Sequence, residues 1–490
     1  MVLLLTISNL NPTIMNLKKL IVVTAVLFQF VFISCQTPAG DIAIINGRVM
    51  DPETGTDAVK NILIRNDKIV SITSGDVTAD HIIDATGLVV APGFVDILAH
   101  IRADQGPQKF KIKDGITSVV HMHGGTVDID GWYNSREEAG MLVNYGLAVG
   151  HTSLRRAAGQ TDRYAAATPE QLEKMIKLAR ESFEGGAIGM GFGINYVPGS
   201  PYTEIYEMFK VCAEYGVPAH VHTRHKGSVF PGDVVLSVME VIAAAAATGA
   251  SAQVIHLASS AIGSMDYALR LIEGAYNNGV DVMADIHVYQ FNRTSIESAI
   301  YDEGWEETHG GVTVDSVFIP AIGRRLESYD EFEYWRERGG SVSVYHMPYE
   351  EIVMSLQHPL VMVTSDGITT SELSHPRGAG TFSKVLGRFV REREVISLME
   401  AIEKMTLMPA RRLENADPDM KLRGRLQEGS YADITIFNPE TIIDHATIFD
   451  GAQYSEGVEY VLVNGTIVLS EAEFVEDAAP GRPVRGPIKK

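Results

Sequence analysis

The chain has 490 residues, 45% hydrophobic, 8% aromatic and 21% charged, a balance that supports a large buried core and excludes a disordered or collagen-like polymer. Its 41 basic and 62 acidic residues give a net charge of −21 with His neutral, so the surface repels phosphate backbones and a nucleic-acid partner is not expected. Two cysteines, Cys35 and Cys212, make no disulfide framework, and stability must come from packing.

Residues 1–35 read as an address. From Met15, a candidate start, the order is Lys18-Lys19, an apolar run over 20–33 and then Ser34-Cys35-Gln36, the charged, greasy and small-residue regions of a secretory signal peptide. The run falls short of the roughly 20 apolar residues that suit a transmembrane helix. Cys35 after Phe32-Ile33-Ser34 resembles a bacterial lipobox. Export is therefore expected, to the periplasm or as a membrane-anchored lipoprotein, with any membrane contact made through a lipid on Cys35.

Beyond residue 40, eight short β-branched runs appear at 89–98, 118–122, 147–150, 187–192, 218–222, 253–257, 281–286 and 361–365. Helical patterns over 169–184 (with Thr168 as N-cap), 202–215, 232–248 and 264–278 follow strands. Strand and helix in alternation predict parallel βαβ units, and eight of them predict an α/β fold closed into a (β/α)8 TIM-type barrel over 91–426. The connection over 287–360 is too long for an ordinary loop and is expected to carry extra helices and a substrate-covering lid. Alternating residues at 42–90 and 427–475 predict strands in pieces too small to hold a core alone, so the two chain ends are expected to pair into one small β-sandwich domain.

In such barrels reactive side chains project from the carboxyl ends of strands. His100, His121, His123, His151, His220, His222 and His256 all close predicted strands, and Asp366 follows the eighth in Thr364-Ser365-Asp366-Gly367. A single such His would be read as a hydrogen-bonded core residue; recurrence on separate strands points instead to a metal. Imidazoles from several strands suit Zn²⁺, which binds neutral His nitrogen and keeps one position open for water. The metal lowers the pKa of that water from 15.7 to roughly 7. Asp366 then fits the acid/base that takes the water's proton and returns it to the leaving amine in amide hydrolysis.

Several segments together resemble the amidohydrolase superfamily, in its D-aminoacylase (N-acyl-D-amino-acid deacylase) branch. They are Ala91-Pro92-Gly93-Phe94-Val95-Asp96, Val149-Gly150-His151 with Leu154-Arg155, Gly186-Ala187-Ile188-Gly189, Tyr196-Val197-Pro198-Gly199, Ser365-Asp366-Gly367, His375-Pro376-Arg377, Gly380-Thr381-Phe382 and Gly429 to Asp433. The resemblance spans nearly all of 42–485. It implies a metal-dependent barrel with a small β-domain, and hydrolysis of the amide of an N-acylated amino acid, the D form favoured. Position by position it implies His222 and His256 as tight zinc ligands, Asp366 as the catalytic acid/base, Arg377 for a substrate carboxylate, and Tyr196 and Tyr289 as pocket residues.

The departures are informative. The family's first strand ends Asp-x-His-x-His, whereas Asp96-Ile97-Leu98-Ala99-His100 keeps only His100 as a candidate metal ligand, so one tight metal is expected rather than a full binuclear centre. Where the branch has a Cys after strand two, His121-Met122-His123 stands; His123 is taken as the ligand, although alternation puts both on one face. Where the family carries Lys, two residues past His256, this chain has Ala258, and Asp-x-Tyr-Pro-Tyr becomes Asp285-Ile286-His287-Val288-Tyr289. His220, one pleat below His222, is assigned either to the core or to supporting the metal ligands from behind, and His225 and Lys226 to the following loop. The alternatives are a cyclic-amide or dipeptide hydrolase of the same superfamily, disfavoured because no Lys lies between Gly185 and Pro198 to form a carboxylated bridge, and an inactive exported lipoprotein that only binds a metal or ligand.

Overall fold

Runs of alternating or continuous apolar residues form the strands, taken here in chain order. The computed structural model describes residues 39–230 and 232–488; the signal and lipobox read at 1–35 lie outside the described residues. Strands β1 (Ala39–Asp51), β2 (Thr56–Arg65), β3 (Lys68–Thr73), β4 (Thr78–Asp84) and β5 (Val89–Pro92) come first. The barrel strands follow as β6 (Phe94–Asp96), β7 (Ile116–His121), β8 (Asn144–Leu147), β9 (Val149–Gly150), β10 (Met190–Gly193), β11 (Ala219–His222), β12 (Ala252–Val254) and β13 (Val282–Ile286). An insertion carries β14 (Thr294–Ser295), β15 (Val317–Ile319), β16 (Arg324–Arg325) and β17 (Ser341–Val344), and β18 (Val361–Val363) completes the barrel. The carboxyl-terminal region adds β19 (Ile434–Phe437), β20 (Val458–Val463), β21 (Thr466–Ser470), β22 (Glu473–Phe474) and β23 (Pro483–Val484).

Parallel pairing runs β9-β10-β11-β12-β13-β18 and β6-β7-β8, with β8 and β9 forming one interrupted barrel strand. Nearly every residue of these strands is buried, as expected for strands covered on both faces. The seam between β6 and β18 is bridged by Asp96, whose carboxylate accepts the Ser365 N–H at 3.1 Å and the Lys111 ammonium at 3.2 Å. The helices fall where their caps predict. That over Pro169–Glu184 opens with a Thr168/Gln171 capping box, and Asp233 caps Val234–Thr248 through the Leu236 N–H at 2.9 Å.

The predicted first strand, 89–98, divides at Gly93. β5 pairs antiparallel with β19, from Val89 against Phe437 to Pro92 against Ile434, whereas β6 pairs with β7. A Cβ on Gly93 would lie 2.2 Å from Thr117 Oγ1, so only glycine lets the chain pass from one sheet to the other there. The β5–β19 ladder joins the two chain ends into a nine-stranded arrangement, β22-β21-β20-β19-β5-β1-β2-β3 with β4 beside β1. Ile44, Ile62, Ile64, Ile69, Val90, Ile434, Ile436 and Leu462 form its core, the small β-sandwich of the sequence reading. The tail then does something the sequence did not announce: β23 pairs with β8 of the barrel, Pro483 against Tyr145 and Val484 against Gly146.

The long insertion is built around a small antiparallel sheet, β14-β17-β15-β16, with its own core of Ile296, Tyr301, Trp305, Val317, Phe332 and Val342. Tyr196 from the barrel packs against this core. The insertion thereby covers the barrel mouth.

Candidate active site

The polar side chains of the mouth come from the carboxyl ends of six barrel strands. His222 is the last residue of β11, His123 lies two residues past β7, and His256 two past β12. His287 directly follows β13, Asp366 follows β18 and His100 follows β6. Two of them, His256 (φ 34°) and Asp366 (φ 49°), have left-handed backbone, a conformation that costs of order 1–3 kcal/mol in a non-glycine residue and persists only when its surroundings impose it. Buried carboxylates impose it here. Asp285 accepts the His256 N–H at 2.7 Å, and Asp96 holds the N–H of Ser365. Burial raises the Asp285 carboxyl to about 7 against the pull of these hydrogen bonds.

These elements bring the imidazoles together. The His222 and His256 rings are 4.3 Å apart between centroids, His123 and His256 5.6 Å, and His123 and His222 6.3 Å. His100 stands 5.7 Å from His123 and 4.5 Å from His121. Asp366 Oδ1 lies 3.6 Å from His123 Nδ1, and its Oδ2 meets Arg377 Nη1 at 2.9 Å. Burial lowers the pKa of His222 and His256 well below the usual imidazole value, so both rings are neutral. Burial would raise Asp366, but Arg377 above all, then His123 and His256, hold its carboxyl well below the ordinary range.

This donor set fits a zinc ion. Ligand atoms of His123, His256 and Asp366 all lie within 4.8 Å of one another. Asp366 Oδ1 is buried with no hydrogen-bond partner among the described residues, an orphaned acceptor that a native structure rarely leaves without a purpose. The His256 tautomer is set as well: Nδ1 lies 2.8 Å from Ser259 Oγ, whose own proton goes to the His256 carbonyl at 3.0 Å, leaving Nε2 with its lone pair free. His222 stands beside this group with Asn195 Nδ2 3.5 Å from its Nε2.

A cavity of about 220 Å³ opens over these residues, lined by His100, His123, His222, His256, Asp366 and Arg377 and by Tyr196, Lys226, Ser259, Asn292, Arg293, Thr294 and Ile300. Tyr196, in the turn after β10, has its hydroxyl 3.3 Å from Thr294 Oγ1 and its ring 5.0 Å from that of His222. Arg377 lines the cavity while its Nη1 also lies 3.1 Å from His287 Nε2. The fork therefore serves Asp366 and His287 as well as any substrate carboxylate.

Tyr289 is a correction to the sequence reading. It does not line the cavity: its hydroxyl donates to the Pro376 carbonyl at 3.4 Å, and its ring packs with Phe291, Phe318 and Ile448 behind the Arg377 segment. His151 also leaves the mouth. It opens the helix His151–Ala158, where its Nε2 meets Glu204 Oε1 at 2.7 Å in a buried cluster with Arg155. His220 is fully buried below His222, in the core as expected, with neither ring nitrogen partnered among the described residues.

Two side chains were missed. His287 closes a strand like the others, but it was read only as a departure from a family pattern. Burial and the neighbouring Arg377 lower its pKa to about 3. Lys226, placed in a loop, turns inward and is buried at the cavity; nothing in the sequence fixes which way a loop side chain points.

Residues 89–230 and 345–469 each match the amidohydrolase family. An N-acyl-D-glutamate deacylase of Alcaligenes xylosoxydans xylosoxydans is 30% identical over 487 residues, covering 91% of this chain and 96% of that protein. The chain belongs to the D-aminoacylase branch of the amidohydrolase superfamily. The D-aminoacylase of the same organism is 29% identical, over 89% of this chain and 95% of that one. The crystal structure of an N-acyl-D-glutamate deacylase from Bordetella bronchiseptica, complexed with zinc and a phosphonate inhibitor that mimics the tetrahedral intermediate, superposes with a TM-score of 0.80 at 28% identity, covering 91% of this chain and all of that one.

Within this branch of the amidohydrolases the chain has its own features. His123 reaches the mouth from just past β7, and Leu98 is buried and bridges His121.

Proposed function

We propose that the protein is a zinc-dependent deacylase of N-acylated amino acids, with the D form favoured, and that His123, His222 and His256 hold one tight metal. The observation that carries this is the buried Oδ1 of Asp366, unpartnered among the described residues, 3.6 Å from His123 and within reach of His256. Zinc, when bound, supplies a water acidified to a pKa of roughly 7 and polarises the scissile carbonyl. Asp366, ionised under the influence of Arg377, accepts the proton of the attacking water at Oδ1 and delivers it to the nitrogen of the departing amino acid. Arg377 orients Asp366 and stands ready for the carboxylate of an acylated amino acid. Tyr196 and the insertion wall off the cavity, limiting water at the reacting centre.

Zinc-loaded protein is expected to hydrolyse N-acetyl-D-amino acids, to prefer them over the L series and over hydantoins and dipeptides, and to lose activity with a chelator. Asp366→Asn is expected to lower kcat by about 10²–10⁴, the usual contribution of a positioned acid/base, while zinc content stays the same. Unchanged turnover in that variant, with zinc still bound, would refute the role given to Asp366.

The protein is further proposed to act outside the cytoplasm, supported by the signal-like order of residues 15–36. No helix among the described residues is long and apolar enough to cross a membrane. Mass spectrometry of the mature amino terminus is expected to find chain beginning at Cys35, with or without lipid.

A further inference from the structure

Lys111 has no part in the chemistry above, and its burial calls for a reason. It sits in the helix Gln105–Lys113 that follows β6, with its side chain 3% exposed. Lysine is almost never buried to this degree unless paired, and the ammonium has two partners: Nζ donates to Ser365 Oγ at 2.7 Å and to Asp96 Oδ2 at 3.2 Å. Ser365 Oγ also accepts the Gly367 N–H at 3.3 Å, so both of its lone pairs are engaged and its own proton goes to Asp96 Oδ2. Asp96 Oδ1 accepts the Ser365 N–H at 3.1 Å and the Leu98 N–H at 3.4 Å. Asp114, in the same region, is engaged elsewhere, by the Phe382 and Ser383 N–H groups at 3.0 and 2.7 Å.

These bonds lie at a particular place in the barrel. β18 pairs with β13 and β6 with β7, but among the described residues no backbone hydrogen bond joins β6 to β18. Asp366 stands on the β18 side of that gap, whereas His100 and His123 stand on the β6 and β7 side. Across it Asp366 Oδ1 comes to 3.6 Å from His123 Nδ1. The residues flanking Asp366 are both fastened to the cluster, Ser365 through its N–H and hydroxyl and Gly367 through its N–H, and the left-handed backbone of Asp366 (φ 49°) is held between them.

We propose that Lys111 is a positioning residue for the hydrolysis. Through Ser365 Oγ and Asp96 it locks the turn after β18 onto the end of β6, and so sets the approach of Asp366 to the metal ligands. Without the ammonium, Asp96 keeps a buried charge on neutral donors alone and Ser365 loses the donor that directs its proton toward Asp96. The inference rests on the reading of Asp366 as the acid/base, since it is the placement of that carboxylate that Lys111 governs.

Steady-state kinetics and crystal structures of zinc-loaded Ser365→Ala and Lys111→Met, with the double variant, test this. Ser365→Ala leaves the Lys111–Asp96 pair in place and is expected to fold. Each single variant should lower kcat by about 10- to 100-fold, the effect of misplacing a reacting group by about 1 Å, with KM and zinc content near those of the wild type. Because both changes break one linkage, the double variant should lose no more than the worse single one. The crystals should show Asp366 displaced from its left-handed conformation or from His123. Should Lys111→Met not fold, Lys111→Arg, which keeps the charge beside Asp96 but shifts the donor to Ser365, takes its place in the cycle with a smaller expected loss. Wild-type kcat in Ser365→Ala, losses that multiply in the double variant, or an unmoved Asp366 would overturn the proposal. Turnover lost in Asp366→Asn but kept in the Ser365 and Lys111 variants would sink the positioning role alone, whereas full turnover in Asp366→Asn would sink the acid/base reading beneath it.

Discussion

The barrel mouth and the barrel foot both bury charge, and they treat it in opposite ways. At the foot, where the β-domain meets the barrel, Asp433 accepts from Arg423, from the Asn464 N–H at 2.7 Å and from Asn144 Nδ2 at 3.0 Å, while Asn464 Nδ2 donates back to Asn144 Oδ1 at 2.7 Å. At the mouth, Asp366 Oδ1, Arg377 Nε and Asn195 Oδ1 are buried without hydrogen-bond partners among the described residues. A closed network holds chain segments together; an open one is paid for by the rest of the fold and is completed by what binds there. Unpartnered buried groups also occur away from the mouth, at His220, Gln253 and Arg412, so what marks the mouth is the convergence of its open valences on one cavity.

Substitutions can sharpen or break this contrast. The largest effect on folding is expected at the foot: Asp433→Ala strands Arg423 in the interior and should cost about 3–5 kcal/mol, the usual penalty for removing one member of a buried pair, with kcat per folded molecule retained. Denaturant unfolding beside active-site titration checks both halves. Loss of kcat without loss of stability would erase the distinction.

Arg377→Met, at the mouth, should lower kcat/KM by about 10- to 100-fold, as expected when a hydrogen bond to a charged group contributes about 1.5–3 kcal/mol, and should move the folding midpoint less than Asp433→Ala does. Steady-state kinetics with an N-acetyl-D-amino acid reads the first quantity and thermal melting the second.

The smallest effect concerns Glu53, which clamps the β-domain to the barrel by accepting from Arg425 at 2.8 and 3.1 Å, from Arg411 at 3.0 Å and from Gln427 at 2.7 Å. The Arg425 hydrogen bonds lower its pKa from 4.5 to about 2. A depressed folded-state pKa stabilises the fold above the unfolded value, and that contribution disappears as pH falls through the folded one. Glu53→Gln should therefore cost about 1 kcal/mol at neutral pH, as partly exposed pairs do. The gap to wild type should close between pH 4.5 and 2. A gap constant over that range would show that the carboxylate charge is not what holds the clamp.

Much of this organisation was legible in the sequence because strand and helix patterns, caps and strand-closing histidines are local signals. Thr168 starts its helix where its capping box says it should, and five of the mouth residues, His100, His123, His222, His256 and Asp366, follow from their place at strand ends. What escaped depends on contacts far apart in sequence. The division of the first run at Gly93 is set by Thr117, the docking of Pro483–Val484 by the open edge of β8, and the withdrawal of Tyr289 by the Pro376 carbonyl. Lys226 escaped because the inward turn of its side chain follows from loop packing, which no periodicity records.

The central claim, that open valences at the mouth converge on one cation, is tested most directly by anomalous scattering at the zinc edge from crystals of zinc-loaded protein. One strong peak is predicted, about 2.0–2.1 Å from imidazole nitrogens of His222 and His256 and in contact with His123. A zinc peak away from these three residues, or none at all in a protein that hydrolyses acylated amino acids, would contradict it.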